Sequence, residues 1–265
     1  MMARARPRTK DEVANAWRAR LAPYWYPRHY LLALTFLGAL GFGGLWGSWK
    51  NLCAGNACPS IAQIRTFEHE QKSKVFAADG RLIAEYGFES RTPVSIRALP
   101  EYVPQAVVAT EDKRFYDHRG FDPIGIARAA VGVLTFDYAG GGSTITQQLA
   151  RNMFDEIGFE KRYIRKLKEV QVALDLERSY TKEQILEAYL NEIYMGRGYG
   201  FQNASRSYFG KDATDMNVAE AALLTAILNR PGRYDPFRNP DAALARRNLV
   251  LDLMANEKYL TEGEA

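Results

Sequence analysis

The longest apolar run in the chain lies near the N-terminus, where Tyr30–Trp49 contain no charged side chain. As a helix, these twenty residues span about 30 Å, the thickness of the hydrocarbon core of a bilayer. Tyr30, Trp46 and Trp49 lie near the two ends, where interfacial aromatic residues are common. The run is too long for a signal peptide, and its five glycines disfavour a soluble core helix. The pattern predicts one membrane-spanning helix over residues 29–50.

The apolar positions after this run predict a connector and then a short β-hairpin. Residues 51–73 are the predicted connector, and Asp79-Gly80 separates two apolar stretches between Lys74 and Tyr86. Asp-Gly between apolar stretches is a strong signal of a β-hairpin.

Beyond the hairpin, the pattern of apolar and polar positions becomes helical. Pro104 suits the first position of a helix, and Asp122-Pro123 is typical of an N-cap followed by a first helical residue. Thr181 and Gln184 have the spacing of a capping box. These signals predict a mainly α fold.

Charge is distributed unevenly, with the excess at the N-terminus. Residues 1–28 hold seven Lys or Arg and two acidic side chains, so they carry a net charge of +5 against +4 for the whole chain. Positive charge before a membrane helix predicts a cytoplasmic N-terminus and an extracytoplasmic C-terminal part. A basic tail on a near-neutral body indicates a membrane surface, and we expect no nucleic-acid partner.

The two cysteines of the chain, Cys53 and Cys58, directly follow the predicted membrane helix. An extracytoplasmic compartment permits a disulfide between them, closing a small loop, with two free thiols as the alternative. Two thiols and three scattered histidines do not make a zinc site, so no protein metal site is predicted.

The first candidate functional stretch runs from Glu111 to Gly120 and holds acids, bases, aromatic residues and a histidine. Glu111 follows an apolar run, where desolvation raises the pKa of a carboxyl and suits it to proton transfer. The alternative is a solvated helix end with paired charges.

A second stretch, Gly140–Asn152, joins three glycines to a predicted helix. Such a loop before a helix N-terminus is a natural anion site, with Ser143 or Thr144 as the cap. Thr144, Gln148 and Arg151 have the spacing of one helical face. An ordinary capped surface helix is the alternative.

A third stretch, Lys161–Arg178, places Arg165 and Lys166 beside Glu169. Basic side chains next to one carboxylate can hold a pyrophosphate. The alternative is a ladder of ion pairs on a helix surface, with Arg165 to Glu169 as one rung.

In this order, the three stretches resemble the first three motifs of the peptidoglycan glycosyltransferases, glycosyltransferase family 51. Tyr199-Gly200 through Lys211 resembles the fourth motif, and the segment from Ala219 to Asn248 resembles the fifth. The likeness covers residues 74–260. The hairpin makes the chain more similar to the N-terminal part of class A penicillin-binding proteins than to the single-domain transferases. Residues 261–265 form the C-terminal end of the sequence, and the resemblance implies that a transpeptidase domain follows in a longer protein.

The resemblance implies a lysozyme-like, mainly α domain with a small mobile jaw near the membrane. It implies that the domain polymerises lipid II into glycan strands with inversion at the anomeric carbon and loss of undecaprenyl pyrophosphate. Glu111 becomes the general base and Glu169 the catalytic residue that assists at the donor. The implied substrate-binding residues are Asp112, Phe115, His118, Gly120, Ser143, Thr144, Gln147, Gln148, Arg151, Asn152, Arg165 and Lys166.

The resemblance also implies partners and ligands. These are lipid II, the growing glycan strand, the inner (cytoplasmic) membrane, a transpeptidase domain or other cell-wall synthesis proteins, and the inhibitor moenomycin. No cofactor is obligatory, although Mg²⁺ or Mn²⁺ at the donor pyrophosphate fits the family. Arg151 replaces the family's usual lysine, which keeps the charge but changes its geometry. A lysozyme-like lytic enzyme and a non-catalytic cell-wall scaffold are the alternative functions.

Overall fold

The computed structural model describes residues 9–13, 15, 27–54, 58, 61, 73–79, 81–86, 92–135, 142–153 and 162–264. The chain divides into two compact units, residues 1–57 and 58–265, and each is described by itself.

The first unit contains helix α1 (Pro27–Asn51). Within it, Tyr30–Trp49 has a mean hydropathy of 1.5, and no part of its most apolar stretch is buried against other residues of the protein. The helix therefore has the length and composition that a membrane span needs. Cys53, which follows this helix, and Cys58, in the second unit, are both disulfide-bonded.

The strands of the second unit form the predicted β-hairpin. Strands β1 (Ser73–Phe76) and β2 (Leu82–Tyr86) pair antiparallel. Asp79 Oδ1 accepts a hydrogen bond of 3.0 Å from the backbone N–H of Arg81, which stabilises the turn. The predicted hairpin is confirmed, while Gly80 of its turn lies outside the described residues.

Helices make up most of the remaining described chain, which confirms the predicted mainly α fold. They are α2 (Tyr102–Glu111), α3 (Pro123–Thr135), α4 (Ile145–Met153), α5 (Arg162–Ser179), α6 (Lys182–Glu192), α7 (Gly200–Phe209), α8 (Val218–Asn229) and α9 (Pro240–Asn256). The predicted mobile jaw stays a prediction.

Local sequence signals explain where several helices begin. Thr181 and Gln184 form the predicted capping box of α6, and Asp122 Oδ1 accepts from Ile124 N at 3.1 Å before α3. Helix α2 begins at Tyr102, so Pro104 is its third residue and not the first residue that the sequence predicts. A proline is tolerated there because the N–H groups of the first turn have no helical partner.

Among the described residues of this unit, two apolar clusters form the core, and α2 contributes to both. Its valines, such as Val107, pack in a larger cluster with α4, α5 and α6, around Leu149 and Tyr189. Its alanines, Ala106 and Ala109, pack in a smaller cluster with α8 and α9. The last residue of α2 is therefore held from two sides by packed helices.

Candidate active site

Glu111 is that last residue of α2, and two polar side chains lead to it from the neighbouring helices. Gln148 of α4 donates from Nε2 to Glu111 Oε2 at 2.9 Å. Tyr189 of α6 donates its hydroxyl to Gln148 Oε1 at 3.1 Å. The carboxyl thus sits at the end of a hydrogen-bonded series that starts in the core.

Burial raises the pKa of Glu111 above its ordinary value. The hydrogen bond from Gln148 and the charges of Arg246 and Arg151 act against this rise, whereas Asp112 adds to it. A carboxyl with a raised pKa is a better proton acceptor than an ordinary glutamate and can act as a general base near neutral pH.

Asp112 and His118 hold the loop after α2 in place. His118 Nε2 lies 3.0 Å from each carboxylate oxygen of Asp112, and both side chains are buried. The same carboxylate accepts from the backbone N–H of Ile145 at 3.0 Å, so it caps α4. Phe115 is fully buried in the core. In the structure these three buried side chains support the loop, and their predicted role in substrate binding stays a prediction.

Gly120 connects this loop to the start of α4. Its carbonyl oxygen accepts from Thr144 Oγ1 and from Gln147 Nε2, both at 2.9 Å. Its φ is +81°, and a Cβ there would lie 2.7 Å from the carbonyl oxygen of Ala173. The position thus requires glycine both for its backbone angle and for the close approach of α5.

The buried carboxylate of Glu169 on α5 gathers three cationic side chains. Lys166 Nζ lies 3.2 Å from Oε2, while Arg165 Nε and Arg151 Nη1 lie 3.5 and 3.8 Å from Oε1. The Glu169 side chain is 2% exposed, whereas the three cations are 31–40% exposed. One acid and three bases leave a net positive cluster with its charges toward solvent, as an anion site needs. Its three cations, Arg151, Arg165 and Lys166, are called the basic cluster below.

Lys166 also connects α5 to the loop before α4. Its Nζ donates to Ser143 Oγ and to Gln147 Oε1, each at 2.7 Å. Burial lowers the pKa of Lys166, and the neighbouring charge of Glu169 acts against that change.

Two adjoining cavities open onto these groups. The larger, of about 610 Å³, is lined by Glu111, Ser143, Gln148, Arg151, Asn152 and residues from the C-terminal half of the domain. The smaller, of about 400 Å³, is lined by Ser143, Arg151, Tyr163, Arg165, Lys166 and Glu169. Because Ser143 and Arg151 line both cavities, a ligand can contact Glu111 and the basic cluster at once.

The predicted polar face of α4 is only partly correct. Gln148 and Arg151 line the larger cavity, but Thr144 is 2% exposed and caps the helix through the backbone N–H of Gln147. Gln147 is likewise buried, where it bonds Gly120 and Lys166. Capping directs the Thr144 side chain back toward its own helix, and its predicted role in substrate binding stays a prediction.

Sequence reasoning missed a set of residues that complete the larger cavity. They are Tyr194, Arg230, Arg233, Tyr234 and Arg246. The guanidinium groups of Arg233 and Arg246 lie 5.7 and 5.8 Å from the ring centre of Tyr234, within cation–π distance. The resemblance of the Arg246 segment to the fifth motif was the available signal, but it assigned no role to the side chain.

A mainly α domain with a carboxyl of raised pKa beside a basic cluster is the arrangement of an acid–base enzyme with an anionic substrate. The model of the Transglycosylase family matches residues 79–255, and the chain belongs to that family.

Relatives support this membership. The chain is 44% identical over 208 residues to penicillin-binding protein 1A of Vibrio cholerae serotype O1, covering 78% of this chain and 25% of that protein. It is 39% identical over 239 residues to penicillin-binding protein 1A of Escherichia coli K12, covering 89% and 28%. The chain thus spans about a quarter of the length of these relatives. A crystal structure of penicillin-binding protein 1A from Haemophilus influenzae is 25% identical, with a TM-score of 0.42, covering 74% of this chain and 20% of that one.

Proposed function

We propose that this chain is a membrane-anchored peptidoglycan glycosyltransferase that polymerises lipid II into glycan strands. The observation that carries the proposal is the pair of adjoining cavities, one with Glu111 and the other with the basic cluster around Glu169. A transferase of this kind needs a base for the acceptor and cations for a pyrophosphate leaving group. Membership of the Transglycosylase family supports the same chemistry.

Glu111 is the proposed general base. It takes the proton of the acceptor sugar hydroxyl while that oxygen bonds the anomeric carbon of the donor. The bond from this carbon to the pyrophosphate breaks, and its electron pair leaves on the phosphate oxygen. Attack opposite the leaving group inverts the anomeric centre, from α in lipid II to β in the strand.

The basic cluster is the proposed site of the donor pyrophosphate. Negative charge grows on the leaving group as the glycosidic bond breaks, so fixed cations lower the energy of the transition state. Glu169 assists by holding the three cations close together, because without a carboxylate their mutual repulsion would spread them apart.

A divalent cation finds no ligand set among the described side chains. No group of three His, Cys, Asp or Glu residues there has metal-binding geometry, and Glu169 already contacts three cationic side chains. We therefore derive no step through Mg²⁺ or Mn²⁺.

The proposed enzyme is anchored in the membrane that contains its substrates. Both substrates carry lipid tails and reside in the bilayer, so an enzyme held there by α1 meets them at high local concentration. The basic residues 1–28 support a cytoplasmic N-terminus, an extracytoplasmic catalytic domain and a place in the inner (cytoplasmic) membrane. The growing strand and a transpeptidase domain or other cell-wall proteins are the proposed partners.

Glu111→Gln tests the proposed base. We expect polymerisation of lipid II to fall by at least roughly 10²-fold, the scale of general base catalysis. The fold should persist, because burial disfavours a charged carboxyl at this position and the amide is neutral. Strand length on gels measures the activity, and thermal unfolding is the control. Strand synthesis at the wild-type rate would refute this role.

Two substrates separate the proposal from its alternatives. Given lipid II, the protein should lengthen strands; given finished peptidoglycan, it should release no sugars. Release of sugars from the polymer would indicate a lytic enzyme, and turnover of neither substrate would indicate a scaffold.

A further inference from the structure

Tyr189 lies in the core, yet its hydroxyl takes part in the site. The side chain belongs to the larger apolar cluster and is 1% exposed. Its hydroxyl donates to Gln148 Oε1 at 3.1 Å, and the other end of the same amide donates to Glu111 Oε2 at 2.9 Å. The three groups lie on α6, α4 and α2, so their alignment depends on the packing of three helices.

We infer that Tyr189 is a positioning residue that sets the orientation of the Gln148 amide and thereby the hydrogen bond received by Glu111. The inference deepens the proposed function, because it matters for catalysis only if Glu111 is the base.

The physical argument rests on the asymmetry of an amide. One end donates hydrogen bonds and the other accepts them, so rotation by 180° exchanges their positions. A hydroxyl proton directed at Oε1 of Gln148 holds the NH₂ group toward Glu111. In the opposite orientation, the amide oxygen would face the carboxylate and repel it. Tyr189 therefore favours the ionised form of Glu111, which is the form a base needs.

Other charged groups also act on Glu111, and they come from three directions. Arg246 of α9 and Arg151 of α4 favour the carboxylate, whereas Asp112 opposes it. Tyr189 contributes a neutral phenol, since burial and the charge of Glu111 raise its pKa well above the usual value. The hydroxyl proton consequently stays in place over the whole range in which Glu111 titrates.

Tyr189→Phe tests the inference, because it keeps the buried ring and removes only the hydroxyl. The acidic limb of the pH profile of lipid II polymerisation should move to higher pH by roughly half a unit to one unit. Activity should recover toward the wild-type plateau as the pH rises. Tyr102→Phe is the matched control: Tyr102 lies on α2 and donates to the backbone oxygen of Met216, so its loss should leave the limb in place. An acidic limb that does not move in Tyr189→Phe overturns the inference.

Gln148→Met is a second variant, and it tests the inference even if Tyr189→Phe fails to fold. Removing the amide should move the acidic limb upward at least as far as Tyr189→Phe does. Adding Tyr189→Phe to Gln148→Met should then cause no further shift, because the hydroxyl acts through Gln148. An unmoved limb in Gln148→Met, or a further shift in the double variant, contradicts the mechanism.

An infrared titration separates failure of this inference from failure of the proposed function. The difference between wild type and Glu111→Gln isolates the carboxyl band of Glu111, whose midpoint needs no substrate. The difference between Tyr189→Phe and the double variant Tyr189→Phe with Glu111→Gln isolates the same band. The titration midpoint of Glu111 should lie at higher pH there than in the wild type. A shifted midpoint in a protein that does not polymerise lipid II refutes the proposed function and leaves the positioning role intact. An unshifted midpoint refutes the positioning role.

Discussion

At the scale of single residues, the environment of Glu169 is unusual. Its carboxylate is nearly fully buried, whereas the three cationic side chains around it are more exposed. A buried charge is costly unless it is paired, and here each cation reduces that cost. The same arrangement leaves the positive groups turned toward the smaller cavity. The ion pairs therefore serve both to retain the carboxylate and to present positive charge to a ligand.

Substitutions in the basic cluster should weaken binding of the phosphoglycolipid moenomycin. Removing a charge-assisted contact to a phosphate costs about 1.5–3 kcal/mol. We expect Arg151→Ala and Lys166→Ala each to weaken binding roughly ten- to a hundredfold. Their effects should not add, because both contact one carboxylate and one ligand. Arg151→Lys should remain active, since it keeps the charge. Titration of labelled moenomycin measures each affinity.

The control for this experiment is a residue on α5, the helix that carries Lys166. Arg178 of α5 pairs with Asp175 at 2.8 Å and is 73% exposed, away from both cavities. An exposed pair of this kind contributes under about 1 kcal/mol, so Arg178→Ala should bind the inhibitor like wild type. Equal affinities for Arg178→Ala and the two alanine variants of the basic cluster would show that the cluster is an ordinary ion-pair ladder.

At the scale of secondary-structure elements, the site depends on how α4 meets the loop after α2. Asp112 caps the backbone of α4, and the carbonyl of Gly120 receives two side chains from its first turn. Helix α5 closes against the same glycine through the carbonyl of Ala173. Glu111, Gln148 and the basic cluster are thus placed relative to one another by a single junction of three elements.

Gly120→Ala should therefore destabilise the domain more than Gly210→Ala does. Both glycines have positive φ, +81° and +71°, which costs an alanine about 1–2 kcal/mol. A Cβ at Gly210 meets nothing within 4 Å, whereas one at Gly120 lies 2.7 Å from a backbone oxygen. Overpacking adds roughly 1–3 kcal/mol at Gly120. Urea unfolding gives both free energies, and equal losses would contradict the proposed close approach.

At the scale of the whole molecule, the chain combines a basic N-terminal segment, one long apolar helix and a helical domain. We predict that a tag at Met1 is protected from protease added to intact spheroplasts, while the loop around residues 140–142 is cut. The reason is the excess of positive charge before the apolar helix. A cytoplasmic reporter protein, checked on the same blot, shows that the spheroplasts are intact. Digestion of the tag with survival of the loop would mean that the orientation is reversed.

Features that depend on a few neighbouring residues could be predicted from the sequence. The hairpin at Asp79, the capping box of Thr181 and Gln184, and the N-cap at Asp122 all appear in the structure. Each follows from backbone preferences and hydrogen bonds between residues no more than a few positions apart, so tertiary packing has little to add. The same holds for the length and hydropathy of α1.

The tertiary structure alone decided which polar residues face the cavities. Spacing placed Thr144 with Gln148 on one helical face, yet the first turns inward to Gly120 and the second reaches Glu111. Likewise, no local signal brings Tyr189 or Arg246 to a carboxyl so distant in the chain. The physical reason is that a side chain's direction at a helix end depends on the donors and acceptors that other helices bring. Those partners are known only once α2, α4, α5, α6 and α9 have packed.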